Sequence, residues 1–280
     1  MSDNQRIKSG DESENYQASG DITVNKGLSF TEVKEVAMMV FENNFVKLGE
    51  QVEELVHTRA DKLITDYLEK LRIEYPEAIN NTIDPDIRAG IYEAQKDFVR
   101  SGKEDTEKLL VDLLIERTTE VQSDFKNIVM NEALSVASKL SKVQLDLLSI
   151  SYLSKHLSFN QPSNPLNFVM LIEPFKYLFD EDVDSSADYT FLSYLGCMDI
   201  SIGSVDYDKI IEFKNLIGLS NEEEIKNNLS NFPLLLKMKY FWNSNTRNIK
   251  NGTTTPVGNA IAFVNINRCL GYKAVPLDLS

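Results

Sequence analysis

The sequence predicts a mainly α-helical protein built as a long-helix antiparallel bundle, and three observations predict it. Apolar residues recur at helical spacing through most of the chain, capping signals open the runs, and β signals are absent between them. A short β-arch or solenoid-like repeat is expected at the N-terminus, and a smaller helical module, compatible with a winged-helix arrangement, at the C-terminus. The expected units are residues 1–27, 28–159 and 165–280.

The leader, 1–27, is polar, yet its order is not random. Ser9-Gly10-Asp11-Glu12-Ser13-Glu14-Asn15 is followed ten residues later by Ser19-Gly20-Asp21-Ile22-Thr23-Val24-Asn25. Ser-Gly-Asp is a turn signal, and the alternation of Ile22 and Val24 with Thr23 and Asn25 suits a strand. Two such units resemble two rungs of a solenoid. Two rungs are too few to be stable alone, because at least about three repeats are needed to bury a continuous core. Copies from other chains would complete them. The expected oligomerisation residues are Gly10, Asp11, Ser13, Asn15, Gln17, Gly20, Asp21, Ile22, Val24 and Asn25.

Ser29-Phe30-Thr31-Glu32 has the form of a capping box. From Val33 to Leu71 the apolar period is helical and no proline intervenes before Pro76, which predicts one helix of about 45 residues, about 65 Å long. Asp84-Pro85 opens a shorter helix that Ser101-Gly102 ends. Residues 103–139 read as another long helix, and Ser141 caps the next one, carrying Leu145, Leu148, Ile150, Leu153 and Leu157. Asn160-Gln161-Pro162-Ser163-Asn164-Pro165 is the clearest linker. Beyond it, helices are expected through Phe168–Phe179 and at 187–196, 206–217 and 221–229, then a strand-like run at 233–242. Pro256 starts the last helix and Gly271 ends it.

Charge is unevenly divided. Of the net −14, residues 1–159 hold −10 (29 acidic, 19 basic), whereas residues 225–280 carry seven basic residues and one acid. The overall balance argues against a broadly basic nucleic-acid coat protein or a polybasic membrane binder. It leaves room for a local basic module, in which Lys237, Lys239, Arg247 and Lys250 are the candidate nucleic-acid contacts. Trp242, flanked by Tyr240 and Phe241, could stack on a base, although packing is its commoner role.

Signatures of catalysis are missing. There is no Gly-x4-Gly-Lys-Ser/Thr, Gly-x-Gly-x-x-Gly or Gly-x-Ser-x-Gly. His57 and His156 lie 99 positions apart, and Cys197 and Cys269 read as free thiols of a reducing cytoplasm, packed as small hydrophobes. The run Asp180–Asp184 fails as an EF-hand, because Ser185 and Phe191 stand at its sixth and twelfth positions. No catalytic, cofactor-binding or metal-ligating residue is assigned. No apolar run approaches a membrane span and no signal peptide is visible. The expectation is a cytoplasmic self-assembling scaffold or sensor whose candidate partners are other copies of itself and one further protein; the alternative is a nucleic-acid-binding protein.

The pattern Ser9-Gly10-Asp11-x-Ser13-x3-Gln17-Ala18-x-Gly20-Asp21-Ile22-x-Val24-Asn25-x-Gly27-Leu28-Ser29, with Glu32-Val33, Val40-Phe41-x2-Asn44-Phe45 and the closing Thr255-Pro256-Val257-Gly258-x-Ala260-Ile261, resembles an uncharacterised family of bacterial proteins of about this length. Related leaders stand on proteins that look like components of antiphage defence, so the resemblance implies that setting. The ending also resembles, weakly, helical abortive-infection proteins with a Leu-Thr-Pro-x-Gly step, although Thr254 stands in place of that Leu. The resemblance implies no catalytic residues.

Overall fold

The computed structural model describes residues 29–44, 50–119, 124–157, 164–180, 186–201, 203–204, 206–207, 231–243, 248–273 and 275. The leader, with every expected oligomerisation residue, lies outside them, as do the expected helices at 221–229 and nearly all of 206–217.

The described chain is mainly helical. Ser29 caps α1 (Phe30–Asn44) as a reciprocal box: its hydroxyl accepts from the Glu32 amide at 3.3 Å, and the Glu32 carboxylate accepts from the Ser29 amide at 2.8 Å. Such a cap is worth about 1 kcal/mol. The long first helix of the sequence reading is in fact two. Past Asn44 the chain resumes as α2 (Glu50–Glu74), which lies antiparallel against α1. The Arg72 guanidinium sits 5.6 Å from the Phe30 ring at one end, and His57 Nε2 meets Glu42 at 3.0 Å near the other. A hairpin lets the apolar stripe of α1 bury against its own chain, where a 65 Å rod would need a neighbour.

After a 3-10 segment at Pro76–Ile83, Asp84 caps α3 (Pro85–Ser101) by accepting from the Asp86 amide at 2.8 Å. Gly102 ends it in the left-handed conformation. The run 103–139 also divides, into α4 (Glu104–Thr119) and α5 (Asp124–Ala137), which pack on each other. Ser141 then caps α6 (Lys142–Lys155) with Gln144, as its sequence position predicts. Pro174 turns the end of α7 (Pro165–Ile172) into a 3-10 segment, Glu173–Phe179.

In the C-terminal part, α8 (Ser186–Tyr194) leads to β1 (Met198–Ile200), which pairs antiparallel with β2 (Gly252–Thr254), Met198 facing Thr254. Between them lies α9 (Pro233–Asn243). The run read as strand-like is therefore helical: its three consecutive leucines hide a helical stripe of Leu235, Met238, Phe241 and Trp242, all buried. The last helix, α10 (Pro256–Leu270), opens at Pro256 and stops at Gly271 (φ +76°) as the sequence predicts.

The centre of the molecule is the pair α6 and α10. Residues 145–154 of α6 and 258–266 of α10 are buried without a break, and α10 also packs on α4 and α5. One continuous apolar core runs from Val33 to Val275 and includes residues from both sides of the 160–165 linker. No described helix is long and apolar enough to cross a membrane.

Candidate functional site

The candidate nucleic-acid contacts do not share one face. Lys237 and Lys239 stand two positions apart on α9, about 200° around the helix. Lys237 pairs with Asp180 at 3.2 Å. Lys250 lies in a 3-10 turn at Asn248–Lys250, and Arg247 is outside the described residues. Trp242 is buried edge-on against Tyr207, with ring centres 6.3 Å apart. Its role is packing, while neighbouring Tyr240 is exposed.

The basic end meets the acidic bundle instead. Arg268 lies 3.5 Å from Asp105, and Lys273 lies 3.3 Å from Glu116, both acids of α4. The opposed charges of the two sequence halves thus become contacts between α10, its following segment and α4. Exposed pairs of this kind contribute at most about 1 kcal/mol each, so they orient α10 more than they hold it.

Two polar centres, one buried and one half-buried, escaped the sequence reading. Asp146 is buried in α6, where its carboxylate accepts from Asn265 Nδ2 at 2.9 Å, from the Tyr177 hydroxyl at 2.7 Å and from Lys142 Nζ. Asn265 Nδ2 also donates to Ser149 Oγ at 2.9 Å. Burial, reinforced by the Asp146 carboxylate, holds the Tyr177 phenol well above its ordinary range. This network crosses the α6–α10 seam and reaches the segment after α7. An acid within an otherwise apolar stretch, Leu145-Asp146-Leu147-Leu148, was the available signal.

Lys155 is the second. Its ammonium donates to the carbonyls of Gly252 and, at 3.4 Å, Lys250, and lies 5.4 Å from the Trp242 ring centre. Burial lowers its pKa to about 8. Below pH 8 the amine is charged in both folded and unfolded chains, so its full desolvation cost is present. Between about 8 and 10.5 the unfolded chain still binds the proton while the folded one releases it, and stability rises with pH. Wild-type protein should therefore gain stability relative to Lys155→Met between pH 8 and 10 in paired urea titrations. A constant difference across that range would contradict the assignment.

The thiols differ from each other. Cys197 is buried, and burial pushes its pKa up to about 12. Cys269 is exposed, contrary to the expectation that both are packed as core residues. Partial desolvation of its thiol against the protein, helped by Asp146, still raises its pKa. Both shifts oppose a thiolate at neutral pH. Among the described residues no group of three or more His, Cys, Asp or Glu could hold a metal ion.

A cleft of about 290 Å³ opens between α2, α4 and α10. Its wall carries Lys70, Tyr75, Asp112, Glu116, Phe263 and Tyr272. Lys70 is held by Asp112 at 2.6 Å, and Lys273 lies over the Phe263 ring at 5.4 Å. The segment carrying Lys273 leaves α10 through Gly271 and is tied back where Asn267 Oδ1 accepts from the Val275 amide at 3.2 Å.

No curated protein and no solved structure matches this chain. A family model described as ":-like" matches residues 27–215, more than half of the chain, from the end of the leader through α8 and β1. The chain therefore belongs to this ":-like" family, an uncharacterised one.

Proposed function

We propose that the protein is a cytoplasmic, self-assembling scaffold or sensor without intrinsic catalysis. The observation that carries this reading is the two-copy, period-10 repeat at Gly10–Asn15 and Gly20–Asn25, which is too short to bury a core within one chain. The helical body adds to it. Exposed apolar pairs stand one turn apart on α5 (Phe125, Ile128), α7 (Leu166, Met170) and α8 (Phe191, Tyr194), surfaces on which further contacts between copies can build. A setting in antiviral defence is supported by the leader's resemblance alone.

Nucleic-acid binding through Lys237, Lys239, Arg247 and Lys250 has less support. Lys237 is already paired, and no second basic residue shares its face of α9.

Changing Ile22 and Val24 together to Asp in the full chain tests the proposal. It should lower the native mass measured by light scattering and leave the far-UV helical signal unchanged. An unaltered mass would refute assembly through the leader.

A further inference from the structure

We propose that the junction of α1, α3 and the Pro76–Ile83 segment is a binding site for one water molecule, held as a structural part of the fold by the side-chain carbonyl of Gln95. The proposal is independent of the leader and of self-assembly.

Gln95 stands on α3 where α1 and α2 meet it, and it is fully buried. A buried amide needs hydrogen-bond partners at both of its ends. The nitrogen has them: Nε2 donates to the Ala60 carbonyl of α2 at 3.2 Å and meets Met38 Sδ of α1 at 3.6 Å. The oxygen, Oε1, has no hydrogen-bond partner among the described residues. Turning the amide over brings no relief, because it would set Oε1 against the Ala60 carbonyl. A methionine would fill the same space with no polar end to satisfy. Glutamine suits the position only if something meets its oxygen, since an unmet buried acceptor carries its full desolvation cost.

The same side chain lines a cavity of about 20 Å³. That volume takes one water and excludes an organic ligand. Buried Val33, Thr82, Ile91 and Gln95 share its wall with half-buried Ala37 and Arg88. A purely apolar cavity of this size would stay dry, whereas a buried water requires roughly two to four polar partners. Gln95 Oε1 is the first. The Thr82 hydroxyl donates to the Ile79 carbonyl at 2.7 Å and keeps its lone pairs to accept. Arg88 spends Nε on the Thr82 carbonyl at 3.2 Å and keeps its terminal nitrogens to donate. The water donates to Gln95 and Thr82 and accepts from Arg88. It ties α3 to the segment that precedes it, beneath α1, with every group in the role its chemistry allows.

Oxygen-17 relaxation dispersion on the full chain, which counts waters held longer than the molecule takes to tumble, tests the proposal. Gln95→Met keeps the shape of the side chain and removes the acceptor, so it should lose one long-lived water per chain relative to wild type. Ala37→Val, which fills the cavity and leaves Gln95 intact, should lose the same water. In the wild-type background Ala37→Val should also lower the melting temperature by about 2–6 °C, because Oε1 is then stranded. In the Gln95→Met background the same substitution should lower it by no more than about 1 °C. The proposal is overturned if either variant holds as many long-lived waters as wild type, or if Ala37→Val costs the same in both backgrounds.

Discussion

Replacing Gly258 by alanine should lower the melting temperature by about 5–10 °C, corresponding to about 3 kcal/mol, the upper end of what overpacking costs. The reason is a backbone-to-backbone contact. A Cβ built at Gly258 would stand 2.0 Å from the Cys197 carbonyl oxygen, and no side-chain rotation can relieve a clash with main chain. The contact exists because the first turn of α10 is docked on the residues that open β1. The Thr255 amide donates to the Cys197 carbonyl at 3.1 Å, and the Thr255 hydroxyl to that of Gly196 at 2.6 Å. The same hydroxyl accepts from the Gly258 amide at 3.2 Å. Alanine must push α10 away from this anchor, and α10 is central to the core. The Thr255-Pro256-Val257-Gly258 step thus has a physical meaning: cap, preset first turn, and close approach. A melt within 1 °C of wild type would show that α10 is not seated on β1 as described.

Asp146→Ala should cost about 2–3 kcal/mol, because it strips a shared acceptor from buried donors on two other elements. Asn265 is fully buried and keeps only Ser149 for its amide, while the Tyr177 hydroxyl loses its partner. Lys142, whose side chain is 61% exposed, returns to water at little cost. Asp146→Asn keeps one carbonyl oxygen but turns an amide toward one of the donors, so about half of the loss is expected. Chemical denaturation of the two variants and of Asp146→Leu with Asn265→Leu measures this directly. The double apolar variant should recover part of the loss, since the Asn265 amide is then no longer left short of an acceptor, while the Tyr177 hydroxyl still lacks its own. Equal stability of wild type and Asp146→Ala would mean that the network contributes nothing to the α6–α10 seam.

Helix starts were the most legible feature of this sequence. Ser29, Asp84, Ser141 and Pro256 each open a helix where their side-chain chemistry demands, and Gly102 and Gly271 close theirs in the left-handed region. Helix breaks inside continuous apolar periodicity were not legible. Between Asn44 and Glu50, and again between Thr119 and Asp124, no proline stands, and the apolar spacing on each side fits either one long helix or two. Only Gly49 marks the first break. Tertiary packing decides such cases, because folding back buries both stripes against the same chain. The 233–242 run misled for a related reason: Leu234-Leu235-Leu236 looks like a buried strand, and only the spacing to Met238, Phe241 and Trp242 reveals the helical face.

The polar sites were less legible still. Nothing in the spacing of Asp146, Tyr177 and Asn265, or of Glu116 and Lys273, announces that the fold brings them together, since each pair is separated by tens of residues or more. Charge asymmetry was visible in the sequence, but its meaning was not. The basic C-terminal residues could have faced an outside polyanion; Lys237, Arg268 and Lys273 instead meet acids of their own chain.

The central claim is that the leader assembles copies of this chain. It is tested most directly by the native mass of the full chain beside that of residues 28–280, measured by light scattering at equal concentration, with circular dichroism to confirm that the body remains helical. The account predicts a multiple of 31.8 kDa for the full chain and a lower multiple or a monomer once the leader is removed. Equal stoichiometry for the two, or a full chain that is itself monomeric, would contradict it.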